Sequence, residues 1–186
     1  MSVKSLNYSQ RGTFTVEFAI VGLIFSLLFV FSGDVIIKLA YKGKLDRLAY
    51  SLVNIVKERT QLYEDSYSLT PANVTTVANI AEASLRRMIT DFDSNKFGYV
   101  IEAVTFDASH RSTYQAFSSN VVGNSAIQCN TSNKLNQMMH LSKITTWGRP
   151  STLYRVTLCY ETANWIGDLL NMNFTRVESD AVMIGR

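Results

Sequence analysis

The chemistry of Glu17 is hard to reconcile with its surroundings, the apolar run "RGTFTVEFAIVGLIFSLLFVF" that starts at Arg11. An ionised carboxylate left unpaired in hydrocarbon costs on the order of several kcal/mol. Either a cation meets Glu17 or its side chain reaches water. The other reactive side chains form no machinery. Cys129 and Cys159 are the two cysteines, and His110 and His140 are isolated. There is no H-E-x-x-H, G-x-S-x-G, C-x-x-C or P-loop pattern, so no nucleophile has its base and no metal has its ligand set. Asp91, Asp93, Asn95 and Glu102 have the spacing of a calcium loop, but Lys96 stands where that loop needs glycine. A polar turn from helix to strand is the better reading. The expectation is a protein that is not an enzyme, with no cofactor and no metal.

The element that carries Glu17 is a membrane-spanning helix. Residues 14–37 are roughly 24 in number, about 36 Å of helix, enough to cross a bilayer. Glu17 near the start and Asp34 near the end both fall at headgroup depth, and Ser32-Gly33 is a potential kink. No small-x-small cleavage site follows the run, so it reads as a retained helix rather than a removed secretory signal. The net charge of +3 is spread over scattered Lys and Arg, which argues against a nucleic-acid partner. At 186 residues, the chain has room for one modest domain beside the anchor.

That domain is legible as periodicities. Tyr41, Leu45, Leu48, Leu52, Ile55 and Leu62, widened by Ala49, Val53 and Val56, recur at helical spacing with no proline between Thr13 and Leu62. The spacing predicts one long helix through the anchor to Leu62, its stripe packed on the chain's own sheet or on other subunits' helices. "YEDSYSLTPAN" reads as a linker. Val74, Val77, Ala78, Ala81, Leu85, Met88 and Ile89 then mark a second amphipathic helix. "YVIEAVTFD", "LYRVTLCYE" and "RVESDAVMI" read as strands; in the second, Tyr154, Val156, Leu158 and Tyr160 alternate with Arg155, Thr157, Cys159 and Glu161. The alternation predicts a sheet with one buried face. The fold class is α+β: a long N-terminal transmembrane helix continuing into a soluble helix, packed on a small antiparallel sheet.

The order Arg11-Gly12, four residues, Glu17, long apolar helix resembles a type IV prepilin motif. More closely, "RGTFTVEFA" resembles the minor pseudopilins of the tight-adherence (Tad) pilus, and "LDRLAYSLVNIVKERTQLY" is similar to the TadF type. The resemblance implies that a prepilin peptidase removes residues 1–12, cutting between Gly12 and Thr13. Arg11, Glu17 and Phe18 are then recognition residues for processing and assembly; major pilins of that system usually carry Tyr after the glutamate, so Phe18 fits a minor component. The implied domains are a leader (1–12), a transmembrane helix (13–37), a helical extension (38–62) and a soluble α+β domain (63–186). The implied partners are the membrane, the peptidase, other minor pseudopilins and the major pilin. The implied function is assembly of a Tad pilus for surface adherence and biofilm formation.

Cleavage would answer the question of Glu17. It creates an α-ammonium on Thr13, one helical turn before the carboxylate, so the two pair within a chain or across neighbouring subunits. The resemblance also implies a single-pass protein of the bacterial inner membrane, N-terminus in the cytoplasm and C-terminal domain in the periplasm. Loop charge taken alone reads the other way: Lys4 and Arg11 precede the helix, whereas Lys38, Lys42, Lys44 and Arg47 follow it. In an exported domain Cys129 and Cys159 form one disulfide, closing about 30 residues for roughly 3–4 kcal/mol; in a reducing compartment they are two free thiols. The reading from another class is an uncleaved, membrane-anchored binding module with an extracytoplasmic α+β domain.

Overall fold

The computed structural model describes residues 13–62, 68–122, 127–131, 133–146, 148–165, 167 and 172–185. Arg11 and Gly12 lie outside them. The chain divides into two compact units, Met1–Ile37 with Asn164–Phe174, and Lys38–Ala163 with Thr175–Arg186. One helix, α1 (Thr13–Leu62), contributes to both. No glycine or proline interrupts it where a break would follow, because Gly22, Gly33 and Gly43 all lie within the helix.

In the first unit α1 is exposed over most of its length. Residues 14–32 are exposed, and of 14–37 only Asp34 is buried. The two hydroxyls of the run bond back to the helix, Ser26 Oγ to the Leu23 carbonyl at 2.8 Å and Ser32 Oγ to the Leu28 carbonyl at 2.8 Å. Neither leaves an unsatisfied polar group on the apolar surface.

The second unit is built on a four-stranded antiparallel sheet in the order β2-β1-β3-β4. Its strands are β1 (Phe97–Phe106), β2 (Ser112–Ser118), β3 (Leu153–Glu161) and β4 (Arg176–Ile184). One face carries the main core. Leu45, Leu48, Ala49, Leu52, Val53 and Val56 of α1 cluster with Ile101, Ala103, Tyr154, Val156 and Leu158 of the sheet. The helical stripe therefore packs on the chain's own sheet. Ile55, expected within it, is 37% exposed, because the straight 3.6-residue repeat rotates it off the sheet while Val53 and Val56 rotate in. The Tyr160 ring stacks on Tyr41 of α1 at 5.5 Å and on Phe92 at 5.7 Å.

Helix α2 (Pro71–Met88) adds Val74, Val77, Ala81 and Leu85 to the same core. It starts on a Thr70 cap, whose side chain accepts from the Asn73 N–H, with Pro71 in the first turn. The proline that sequence reading left in the linker thus opens the helix. Lys44 Nζ donates to the Met88 carbonyl at 2.7 Å, placing a cation on the negative end of α2.

Two expectations about the sheet need correction. Strand β2, at the edge beside β1, was not anticipated, since "STYQAFS" has no clean alternation and the turn before it has no glycine. Asp107 makes that turn instead: Oδ1 accepts from the Ser109 and Arg111 N–H groups at 2.8 Å each, while His110 takes a φ of 61°. Nor does the sheet bury only one face. Leu153 to Tyr160 of β3 are buried without exception, because a second layer covers the opposite side. That layer comes from residues 127–141, with Leu135 against Val104 and Leu153, and Ile127 beside Cys129 and Cys159.

Candidate functional site

The helix end is the first place to look. Thr13 is the first helical residue. Glu17 follows one turn later on exposed helix surface, flanked by Phe14 at 73% and Phe18 at 70% exposure, whose rings stack at 6.4 Å. From 13 to 33 Glu17 is the one charged residue. Leu23, Phe25, Leu28 and Phe29 continue the exposed apolar surface, so that no side of this helix segment is polar. Such a surface is stable against lipid or against other apolar helices, and unstable in water. A carboxylate on such a surface can set the depth or register of a helix where it meets a cation.

The second place is the covered back of the sheet. Glu102 on β1 and Arg155 on β3 are register partners across the two central strands. Both are almost fully buried, and the guanidinium grips the carboxylate through Nε and a terminal nitrogen. Glu102 Oε1 also accepts from the Tyr114 hydroxyl at 2.6 Å and from the Leu135 N–H at 3.1 Å. Arg155 donates in turn to the Asn133 carbonyl at 2.6 Å. Burial, and then the bond to Glu102, hold the Tyr114 hydroxyl far above the ordinary phenol range. The bonds to the Leu135 N–H and the Asn133 carbonyl fasten the covering layer to the sheet, while the Tyr114 bond ties β2 to β1. The pair's role is structural.

Cys129 and Cys159 form a second fastener for that layer. They are joined in the structure, with Cα atoms 5.5 Å apart. Gly98, opposite Cys159 in the register, makes the room: a Cβ there would meet the Ile127 carbonyl oxygen at 2.6 Å and Cys159 Sγ at 2.9 Å. Beside the disulfide lies a polar cleft of about 350 Å³, lined by Asn130, Thr131, Asn133, Met138, Arg155, Thr157, Glu178 and Asp180. Burial raises the Glu178 carboxyl above the usual carboxylate range, against a lowering bond from the Asn130 backbone. Among the described residues no three His, Cys, Asp or Glu side chains gather as metal ligands. His110 faces the Gly148 carbonyl at 3.1 Å, and His140 is exposed on the covering layer. The calcium-loop residues are dispersed. Asp93 caps the short turn Ser94–Lys96, while Glu102 is committed to Arg155.

The family model described as "Putative tight adherence pilin protein F" (TadF) matches residues 5–186. The chain belongs to the TadF family. The match extends beyond the N-terminal third on which the resemblance was read, through the last described strand. No curated protein and no solved structure matches the chain. Family and structure together describe a Tad pilus-associated, pilin-like protein, and its N-terminal apolar helix fits a single-pass membrane anchor.

In this TadF chain, sequence reasoning found Glu17, Phe18 and both cysteines as residues of interest. It missed the Glu102–Arg155 pair. A signal for it was present: Glu102 interrupts the apolar "YVIEAVTF" and Arg155 interrupts "LYRVTL". A charge in a strand buried on both faces calls for an opposite charge on a neighbouring strand. Without the register, nothing assigns which one.

Proposed function

We propose that this chain is a minor pseudopilin that helps assemble a Tad pilus at the bacterial inner membrane, in the service of surface adherence and biofilm formation. A prepilin peptidase cuts it between Gly12 and Thr13, with Arg11 before the cut and Glu17 and Phe18 after it read by the processing and assembly machinery. The protein is a substrate of an enzyme rather than an enzyme. Its α-helical stalk stays in the membrane, the N-terminus faces the cytoplasm and the soluble domain lies in the periplasm. It works beside other minor pseudopilins and the major pilin. The observation that carries this reading is the whole-chain TadF match on a chain whose exposed apolar helix follows Arg11-Gly12 and holds Glu17 as its one early charge.

The mature N-terminus tests it. Protein recovered from its native membrane should begin at Thr13 by mass. Gly12→Leu should return the uncut chain, since the subsite before the scissile bond must accept a residue without a side chain. An intact Met1 in the unaltered protein would replace this reading with the uncleaved anchored binding module.

A further inference from the structure

Between β3 and β4 the chain makes an excursion, "NWIGDLLNMNF" from Asn164, in which six of eleven residues are apolar. Residues 164–174 group with the N-terminal part of α1 in one compact unit, and not with the sheet whose two strands they connect. The excursion is closed upon itself. Asn164 Nδ2 donates to the Met172 carbonyl at 3.1 Å, Asn164 Oδ1 accepts from the Phe174 N–H at 3.2 Å, and the Met172 N–H bonds the Gly167 carbonyl at 2.9 Å. A Cβ at Gly167 would fall 1.9 Å from Asn164 Oδ1 and 2.1 Å from the Met172 carbonyl oxygen, so only glycine permits this closure.

These bonds satisfy the Met172 N–H and carbonyl, the Gly167 carbonyl and the Phe174 N–H within the loop, which a lipid environment favours. The side chains left outside are of the matching kind. Trp165 is 59%, Met172 53% and Phe174 51% exposed. Three large apolar side chains in water on one short loop are unfavourable, and a tryptophan with a polar edge and an apolar body is the residue most at home at a membrane surface. Its place in one compact unit with the candidate membrane-spanning helix points to the occupant, the lipid around that helix.

We infer that Trp165, Met172 and Phe174 form a second membrane contact, dipping into the lipid interface beside the anchor. The inference rests on the membrane-anchor part of the proposed function. Its consequence is that the protein holds the membrane at two points in the sequence.

The test uses the full chain in phosphatidylcholine vesicles with Trp147→Phe, so that Trp165 is the single tryptophan. Trp165 emission should be blue-shifted. It should be quenched more by lipids brominated near the headgroup end of the acyl chain than by lipids brominated near its tail. A reference chain, Trp147→Phe and Trp165→Phe with Phe25→Trp, reports on the anchor and should be quenched more by the deep bromines. Quenching of the reference with red-shifted, unquenched Trp165 would overturn the loop contact while leaving the anchor standing, and would point to a neighbouring subunit as the loop's partner. Absence of quenching from both would overturn the anchor reading and the loop contact with it. Deep quenching of Trp165 equal to that of the reference would also refute an interfacial position.

Discussion

The residue that most rewards experiment is Glu17. If it pairs with the Thr13 ammonium of a neighbouring subunit, Glu17→Leu should still insert and still be cut, since it makes the helix more apolar and leaves Gly12 intact. Assembly should fail, because each contact loses about 1–3 kcal/mol when the neighbour's ammonium is left unpaired at the membrane face. Glu17→Asp should be intermediate, its arm being shorter. Mature-form size and co-purification with other pseudopilins from one strain separate the two steps. Normal processing with normal assembly of Glu17→Leu would reduce Glu17 to an interfacial carboxylate that reaches water. Inside the soluble domain the corresponding residues are Glu102 and Arg155. Arg155→Ala should destabilise by about 3–5 kcal/mol, since it strands a buried carboxylate. Glu102→Met with Arg155→Met should recover only part of that loss. No buried charge then remains, but the Tyr114 hydroxyl and the Leu135 N–H still lose their acceptor. Denaturant midpoints of the detergent-solubilised chain compare the three proteins.

At the scale of elements, the covering layer of residues 127–141 is held at two separated places, the ion pair and the disulfide. Removing the disulfide with Cys129→Ala and Cys159→Ala should cost roughly 3–4 kcal/mol, as expected for closing a loop of this length. Gly98→Ala should cost about 1–3 kcal/mol by overpacking, for its Cβ meets the Ile127 carbonyl that the disulfide holds in place. The two changes should couple. In the cysteine-free chain the layer has freedom to give way, so Gly98→Ala should cost measurably less there than in the oxidised protein. Equal costs in both backgrounds would show that Ser119, whose hydroxyl donates to the Ile127 carbonyl, and the rest of the packing fix the layer without the disulfide.

For the whole molecule the decisive question is which side of the membrane the soluble domain occupies. Lys38, Lys42, Lys44 and Arg47 favour the cytoplasm by loop charge, whereas the pilus role requires the periplasm. Thiol chemistry distinguishes them, since a disulfide persists in an oxidising compartment and not in a reducing one. Chain from cells denatured with a thiol-blocking reagent, and not reduced, should show no labelling at Cys129 or Cys159. Full labelling would place the domain in the cytoplasm and remove it from the outer side of the pilus machine.

Much of this molecule was legible without coordinates because the signals were local. An apolar run of bilayer length can only be a helix in lipid, an uninterrupted 3.6-residue stripe extends that helix to Leu62, and strict alternation marks β3. Arg11-Gly12 and Glu17 stand in one short stretch, so their reading needed no fold at all. What required the tertiary structure was non-local. Edge strand β2 has little pattern of its own and exists because β1 offers it seven register partners. The burial of both sheet faces depends on a polar segment whose composition resembles an open loop, and which becomes a layer only when Glu102, Arg155, Cys129 and Cys159 tie it down. The grouping of residues 164–174 with the anchor in one compact unit likewise joins segments more than a hundred residues apart. Periodicity reports what one element buries along its own length; only the folded chain decides what lies across from it.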